Sequence, residues 1–112
     1  MLKKEHRLQK TKEVQTTFAK GRSFFSPYFL GKFQKVTEGK QRFTVVVSTK
    51  VSKKAVVRNR IKRLVREYVR LHIDGFLPGN YIFTAKPKIM EIFDARISDE
   101  FGKFVKSSKL LK

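Results

Sequence analysis

Few side chains in this sequence have the types and spacing that catalysis demands. The histidines are His6 and His72, and neither stands at ligand or dyad spacing from a partner. Phosphate hydrolysis by two metal ions needs several carboxylates converging on one pocket. The acids that cluster are only Glu91 with Asp94 and Asp99 with Glu100, on a segment otherwise spaced for a core, so both pairs read as a solvated face. His6 reads as a solvated group in a mobile terminus and His72 as a helix-capping group. No phosphate loop, zinc spacing or Ser/His/Asp order occurs. Cysteine is absent, which removes disulfides and thiolate metal sites. No catalytic and no metal-ligating residue is expected in the chain itself.

Phosphate binding is the chemistry for which the residues are present. The cations Lys50, Lys53, Lys54, Arg58, Arg60, Lys62, Arg63, Arg66 and Arg70 stand against the single acid Glu67, a net charge of +8 between Lys50 and Arg70. A merely solvated face interleaves acids with its bases, and this one does not. Arg58, Lys62, Arg66 and Arg70 recur every fourth residue, a stripe that drifts slowly round a helix and can track successive phosphates. Asn59, between Arg58 and Arg60, reads either as a placed hydrogen-bonding group or as a helix N-terminal cap. Over the whole chain 27 Lys and Arg face 9 Asp and Glu, giving +18 and a pI near 10.6. Such a balance points to nucleic acid or an anionic membrane surface. The longest apolar run is Val45 to Val47, and the charged start MLKKEHRLQK has no apolar stretch behind it. Neither a spanning helix nor a signal peptide is expected, and the reading is a cytoplasmic nucleic-acid-binding protein.

These residues need a scaffold, and 112 residues with 40% hydrophobic content and eleven Phe are enough for one modest core. A single domain over residues 1–112 is expected. Val14 and Phe18 lie one turn apart, with Thr11 as N-cap and Gly21 as stop, which predicts a helix over Thr11 to Lys20. Tyr28 to Gln34 is aromatic and extended, Glu38 to Lys40 reads as a turn, and RFTVVVSTK is β-branched enough for a buried strand. These two strands are expected to be adjacent and antiparallel. From Lys54 to Leu71 the period becomes helical, with Val57, Ile61, Leu64, Val65, Tyr68 and Leu71 gathered on one side. Turn formers from Asp74 to Asn80 precede a third strand, YIFTA. Ile89, Phe93, Ile97, Phe101, Phe104 and Val105 then predict a C-terminal helix that Gly102 breaks only mildly. Helix, strands, helix, strand, helix is an α+β sandwich.

The stretch STKVSKKAVVRNRIKRLVREYVR, Ser48 to Arg70, resembles the signature of the bacterial ribonuclease P protein subunit: a basic pair, a spacer, Ala, Arg-Asn-Arg, a basic helix and Arg-Glu. Ala55, Arg58, Asn59, Arg60, Ile61, Lys62, Arg63, Arg66 and Glu67 match. RLQKTKEVQTTFAKG is similar to that family's first helix, YFLGKF to its following strand, and GNYIFTAKP to the strand after the basic helix. The resemblance implies a two-layer α-β sandwich of the ribosomal S5 domain 2-like type, with a left-handed βαβ crossover against the usual rule. It implies a ribonucleoprotein endonuclease that removes the 5′ leader from precursor tRNA, in which a catalytic RNA performs the hydrolysis with magnesium held mainly by RNA. No cofactor of the protein alone and no protein oligomer are implied. The basic residues from Lys50 to Arg70, with Asn59, would bind the catalytic RNA, the Arg-Asn-Arg segment lying near a helix start where amides also favour phosphate. Phe18, Tyr28 and Lys32 would line a cleft for the leader of precursor tRNA, with Phe29 and Phe33 in the core; core packing is an equal reading for Phe18.

Two positions depart from the family's pattern. Thr49 replaces the first of the basic pair, leaving Lys50 alone, and Val14 stands where Phe is common, shrinking any stacking surface. Two rival readings share the charge. A small ribosomal protein would be separated by the RNA that copurifies. A DNA-binding helix-turn-helix wants a helix just before the basic one, where RFTVVVST reads as strand.

Overall fold

The computed structural model describes residues 2–36 and 39–111. Among the described residues three α-helices and four strands build it: α1 (Thr11–Lys20), β1 (Arg22–Phe25), β2 (Phe29–Lys35), β3 (Arg42–Val46), α2 (Ala55–Leu71), β4 (Gly79–Ala85) and α3 (Ile97–Ser107). One four-stranded sheet has the order β1-β2-β4-β3. β1 with β2 and β2 with β4 are antiparallel, whereas β3 and β4 are parallel and joined through α2. The expected pairing of β2 with β3 is therefore wrong, because β4 inserts between them. A parallel neighbour needs a long crossover, and α2 supplies it. β3 also stops at Val46 rather than reaching Lys50. Of the expected turn at Glu38 to Lys40, Glu38 lies outside the described residues.

Alternation along the strands divides the sheet into two faces. Phe29, Gly31 and Phe33 of β2, Phe43 and Val45 of β3, and Tyr81, Phe83 and Ala85 of β4 are buried and form one face of the main core. α2 closes this face with Ile61, Val65 and Val69, and α3 with Ile97, Phe101, Phe104 and Val105. Phe43 stacks on Tyr81 at 4.8 Å between centroids, and Phe101 meets Phe29 and Phe83 edge-on at 5.1 and 4.9 Å. Such aromatic pairs stabilise beyond their buried area. Close approach explains two glycines: a Cβ on Gly31 would lie 2.8 Å from Phe104, and one on Gly102 3.1 Å from Tyr68. Gly102 thus lets α3 press on α2 rather than weakening its helix.

α1 packs on the opposite face, where Ile82 is buried and the Thr17 hydroxyl donates to Gln34 Oε1 at 3.3 Å. The helix begins at Thr11, after Lys10, without a side-chain cap, so Thr11 is not the expected N-cap. Its arrest at Gly21 agrees with the reading. On α2, Val69 takes the buried place expected for Leu71, which is 64% exposed. The run 57, 61, 65, 69 advances about 40° per step and so carries the seam away from position 71. The C-terminal segment is two pieces, a 3-10 turn over Pro87–Ile92 and α3. The N-terminal segment is pinned rather than mobile: Leu2 and Leu8 are buried, Leu8 N–H donates to Phe43 O at 2.8 Å, and Arg7 bridges Phe43 in parallel. His6 Nδ1 lies 2.7 Å from Gln41 O, and His72 caps α2 with Nδ1 2.9 Å from Tyr68 O.

Candidate nucleic-acid interface

α2 carries its cations as a consequence of what it buries. With Ile61, Val65 and Val69 inward, Arg58 and Lys62 flank the seam and are half-buried, while Arg66 and Arg70 turn out into solvent. The stripe at every fourth residue is thus real, and it runs from half-buried positions beside the seam to the exposed side of the helix. Asn59 and Arg63 lie beside it, exposed, and with Arg66 and Glu67 they line a shallow depression. Asn59 stands in the second turn of α2, so it is not the helix cap. No side chain caps the first turn of α2 and no acid lies in it. Lys50, Lys53 and Lys54 are exposed on the segment leading into that turn, where the Ser52 hydroxyl accepts from Lys54 N–H at 3.2 Å.

Internal partners divide these cations into two sets. Arg58 Nη1 donates to Ser52 O at 2.9 Å and ties the incoming loop to the helix. Arg60 projects to the other side of α2 and grips Asp94 with Nε at 3.0 Å from Oδ1 and Nη2 at 3.4 Å from Oδ2. Arg70 is paired with Glu67, whose carboxyl is held below its ordinary range by that hydrogen bond. Lys50, Lys53, Lys54, Lys62, Arg63 and Arg66 make no ion pair among the described residues. Asp94, read from sequence as a solvated acid, is instead the partner of Arg60. Nothing in local spacing reveals a contact between residues 34 apart.

The second surface is the sheet face that α2 and α3 leave uncovered. α1 crosses part of it, anchored by Thr17 on Gln34 and by Glu13, whose carboxylate accepts from Arg42 Nη1 at 2.8 Å. Phe18 is not in the core: it is 51% exposed, and Lys32 Nζ lies 5.6 Å from its ring centroid. Phe29 and Phe33 are in the core, as expected. Tyr28 stands just before β2, half-buried against the edge of the main core, with Lys88 Nζ 5.8 Å from its ring. The structure therefore joins Phe18 with Lys32 and puts Tyr28 with a different cation. Sequence reasoning passed over β1 entirely, and with it Phe25, 69% exposed under Lys86 Nζ at 5.8 Å. The adjoining pair Phe24-Phe25 was the available signal.

Among the described residues no group of three or more His, Cys, Asp or Glu side chains is placed to hold a metal ion, and no helix is long and apolar enough to cross a membrane. What the two surfaces offer is charge for phosphates on one side of the molecule and a ring beside a cation on the other. The family model Ribonuclease P matches residues 2–109. The ribonuclease P protein component of an Exiguobacterium species is 33% identical over 109 residues, covering 97% of this chain and 95% of that protein. The Fusobacterium nucleatum component is 39% identical over 110 residues, covering 93% and 97%. The structure of the Staphylococcus aureus RNase P protein superposes with a TM-score of 0.90 at 26% identity, over 97% of this chain and 100% of that one. The chain belongs to the bacterial ribonuclease P protein family, the protein component of the endoribonuclease that matures the 5′ end of tRNA together with an RNA subunit.

Proposed function

We propose that the two surfaces serve two RNAs. The outer face of α2, with Lys50, Lys53, Lys54, Arg58, Asn59, Arg60, Lys62, Arg63, Arg66 and Arg70, binds the catalytic RNA. The open sheet face beside α1 takes the single-stranded 5′ leader of precursor tRNA, with Phe18 and Lys32 as its contacts and Tyr28 at the margin. The RNA subunit performs the hydrolysis with magnesium ions held mainly by RNA, and one copy of the protein works in the cytoplasm. The observation that carries the division is Phe18. A half-exposed ring beside an ammonium suits a nucleotide, since every base has a face to stack and a phosphate to neutralise. The cations of α2 lie across the core from it and offer no ring beyond Tyr68, which is turned to α3.

Equilibrium binding of precursor and mature tRNA to reconstituted holoenzyme tests this. Phe18→Leu should weaken precursor binding by about 1 to 3 kcal/mol, the value of a base-aromatic stack. Lys32→Ala should make it less steeply dependent on salt. Mature tRNA, which has no leader, should bind both variants as it binds the unaltered enzyme. Equal losses for precursor and mature tRNA would remove the leader from this face.

A further inference from the structure

We propose a second base-stacking position for single-stranded RNA at Phe25, on the outer strand of the sheet. It rests on the reading of the open face as the leader site and lengthens that site by one contact.

The register places Phe25. β1 pairs with β2 so that Ser23 lies opposite Lys32 and Phe25 opposite Leu30. Directly opposed residues of an antiparallel pair project to the same face. Phe25 therefore shares the open face with Leu30 and Lys32, while Phe24, opposite Gly31, turns to the core and packs against it. With Lys86 over its ring, Phe25 is still 69% exposed, which leaves room for a planar base. The ammonium of Lys86 is held in place by Ser26 O, to which it donates at 2.7 Å. Lys88 stands two residues on, over Tyr28. A ring beside a positive charge recurs here as at Phe18 and Lys32, and it matches an RNA strand's alternation of base and phosphate.

Spacing favours one continuous strand over two separate ligands. Lys32 and Phe25 are one strand apart across the sheet and two residues apart along it, about 8 Å in all. That is within the reach of neighbouring nucleotides on an extended chain. Leu30, half-buried, forms the floor between them. A Phe that is 69% exposed on an edge strand gives little to the core, so its removal tests binding without threatening the fold.

The experiment is equilibrium binding by reconstituted holoenzyme of precursor tRNAs carrying one abasic nucleotide, moved in turn through the leader. For the unaltered protein, abasic replacement should weaken binding at the nucleotide over Phe18 and again one or two nucleotides away. Phe25→Leu should lower precursor affinity about fivefold or more, as loss of one stack requires, and should make only the second position insensitive to base removal. Phe25→Trp should restore both. Mature tRNA affinity and the melting curve should be unchanged in either variant. If Phe25→Leu binds every precursor like the unaltered protein while Phe18→Leu and Lys32→Ala still lose affinity, the second position does not exist and the leader reading stands. If none of the three variants discriminates precursor from mature tRNA, the leader reading fails and this one with it. A loss with Phe25→Leu that is equal for mature tRNA would also overturn it.

Discussion

Arg60 shows how much a single arginine's role depends on what already holds it. Its guanidinium is engaged by Asp94 at 3.0 and 3.4 Å, with both side chains nearly half exposed. An ion pair so placed adds about 0 to 1 kcal/mol to stability, but it aims the guanidinium and sets a carboxylate where a phosphate would come. Two consequences follow for RNA binding. Arg60→Ala should weaken affinity for the catalytic RNA by about 1 to 3 kcal/mol, the value of a charge-assisted contact, with little change in melting temperature. Asp94→Asn should strengthen binding at low salt, because a competing negative charge is gone, and the gain should shrink as screening shortens toward roughly 3 Å at 1 M salt. Filter-binding titrations across a salt series separate the two. If Asp94→Asn weakens binding at every salt concentration, the carboxylate is needed to orient Arg60 and does not compete with the RNA. Arg58 differs, since its bond to Ser52 O anchors the loop before α2. Its replacement should cost some stability as well as RNA affinity.

Elements were legible where their own residues specify them and obscure where a distant segment does. α1 and α2 emerge with their expected limits to within a residue, because apolar period and terminal Gly21 or His72 act locally. β4 was legible for the same reason, with Pro78 before it and Pro87 after it. Strand order was not, since β2 and β3 are consecutive and both suit a buried sheet, and only the crossover of α2 inserts β4 between them. β1 escaped notice because Arg22 to Phe25 does not alternate in polarity; an edge strand with one ring to the core and one to solvent has no reason to. The candidate site divides likewise: the cations of α2 and the pair Phe18 and Lys32 were readable, whereas Arg60 with Asp94 and Phe25 with Lys86 depend on packing between remote segments. Gly31 tests how tightly the α3 layer sits on the sheet. Gly31→Ala would force a methyl to within 2.8 Å of the buried Phe104 ring, which is 2% exposed and enclosed by Phe29 and Phe101. Overpacking of this kind costs about 1 to 3 kcal/mol. Thermal and urea melts should show that loss, and the folded variant should bind RNA as before, because neither proposed surface includes the methyl's neighbours.

At the scale of the whole molecule the governing fact is a charge of +18 on a body with a 13.1 Å radius of gyration. Self-repulsion at that density opposes compactness, and the ion pairs present are mostly exposed, so they offset little of it. The core of stacked and edge-on rings holds the fold against this, while the charge remains for the partner. The free protein should therefore gain stability from anything that screens or binds its cations. Raising sodium chloride from 0.02 to 0.5 M takes the screening length from roughly 20 Å to about 4 Å, and the melting temperature should rise across that range. Sulfate at matched ionic strength should raise it further, since a divalent anion can bridge neighbouring cations on α2 and any ligand of the native state stabilises by mass action. The catalytic RNA should raise it most. Charge-neutralising pairs of substitutions on α2, such as Lys62→Gln with Arg63→Gln, should increase stability at low salt and flatten the salt dependence while weakening RNA binding, which is measured by differential scanning fluorimetry beside RNA titration. A melting temperature indifferent to salt and to these substitutions would mean that the cations are spaced widely enough to ignore one another, and that the charge of α2 costs the fold nothing.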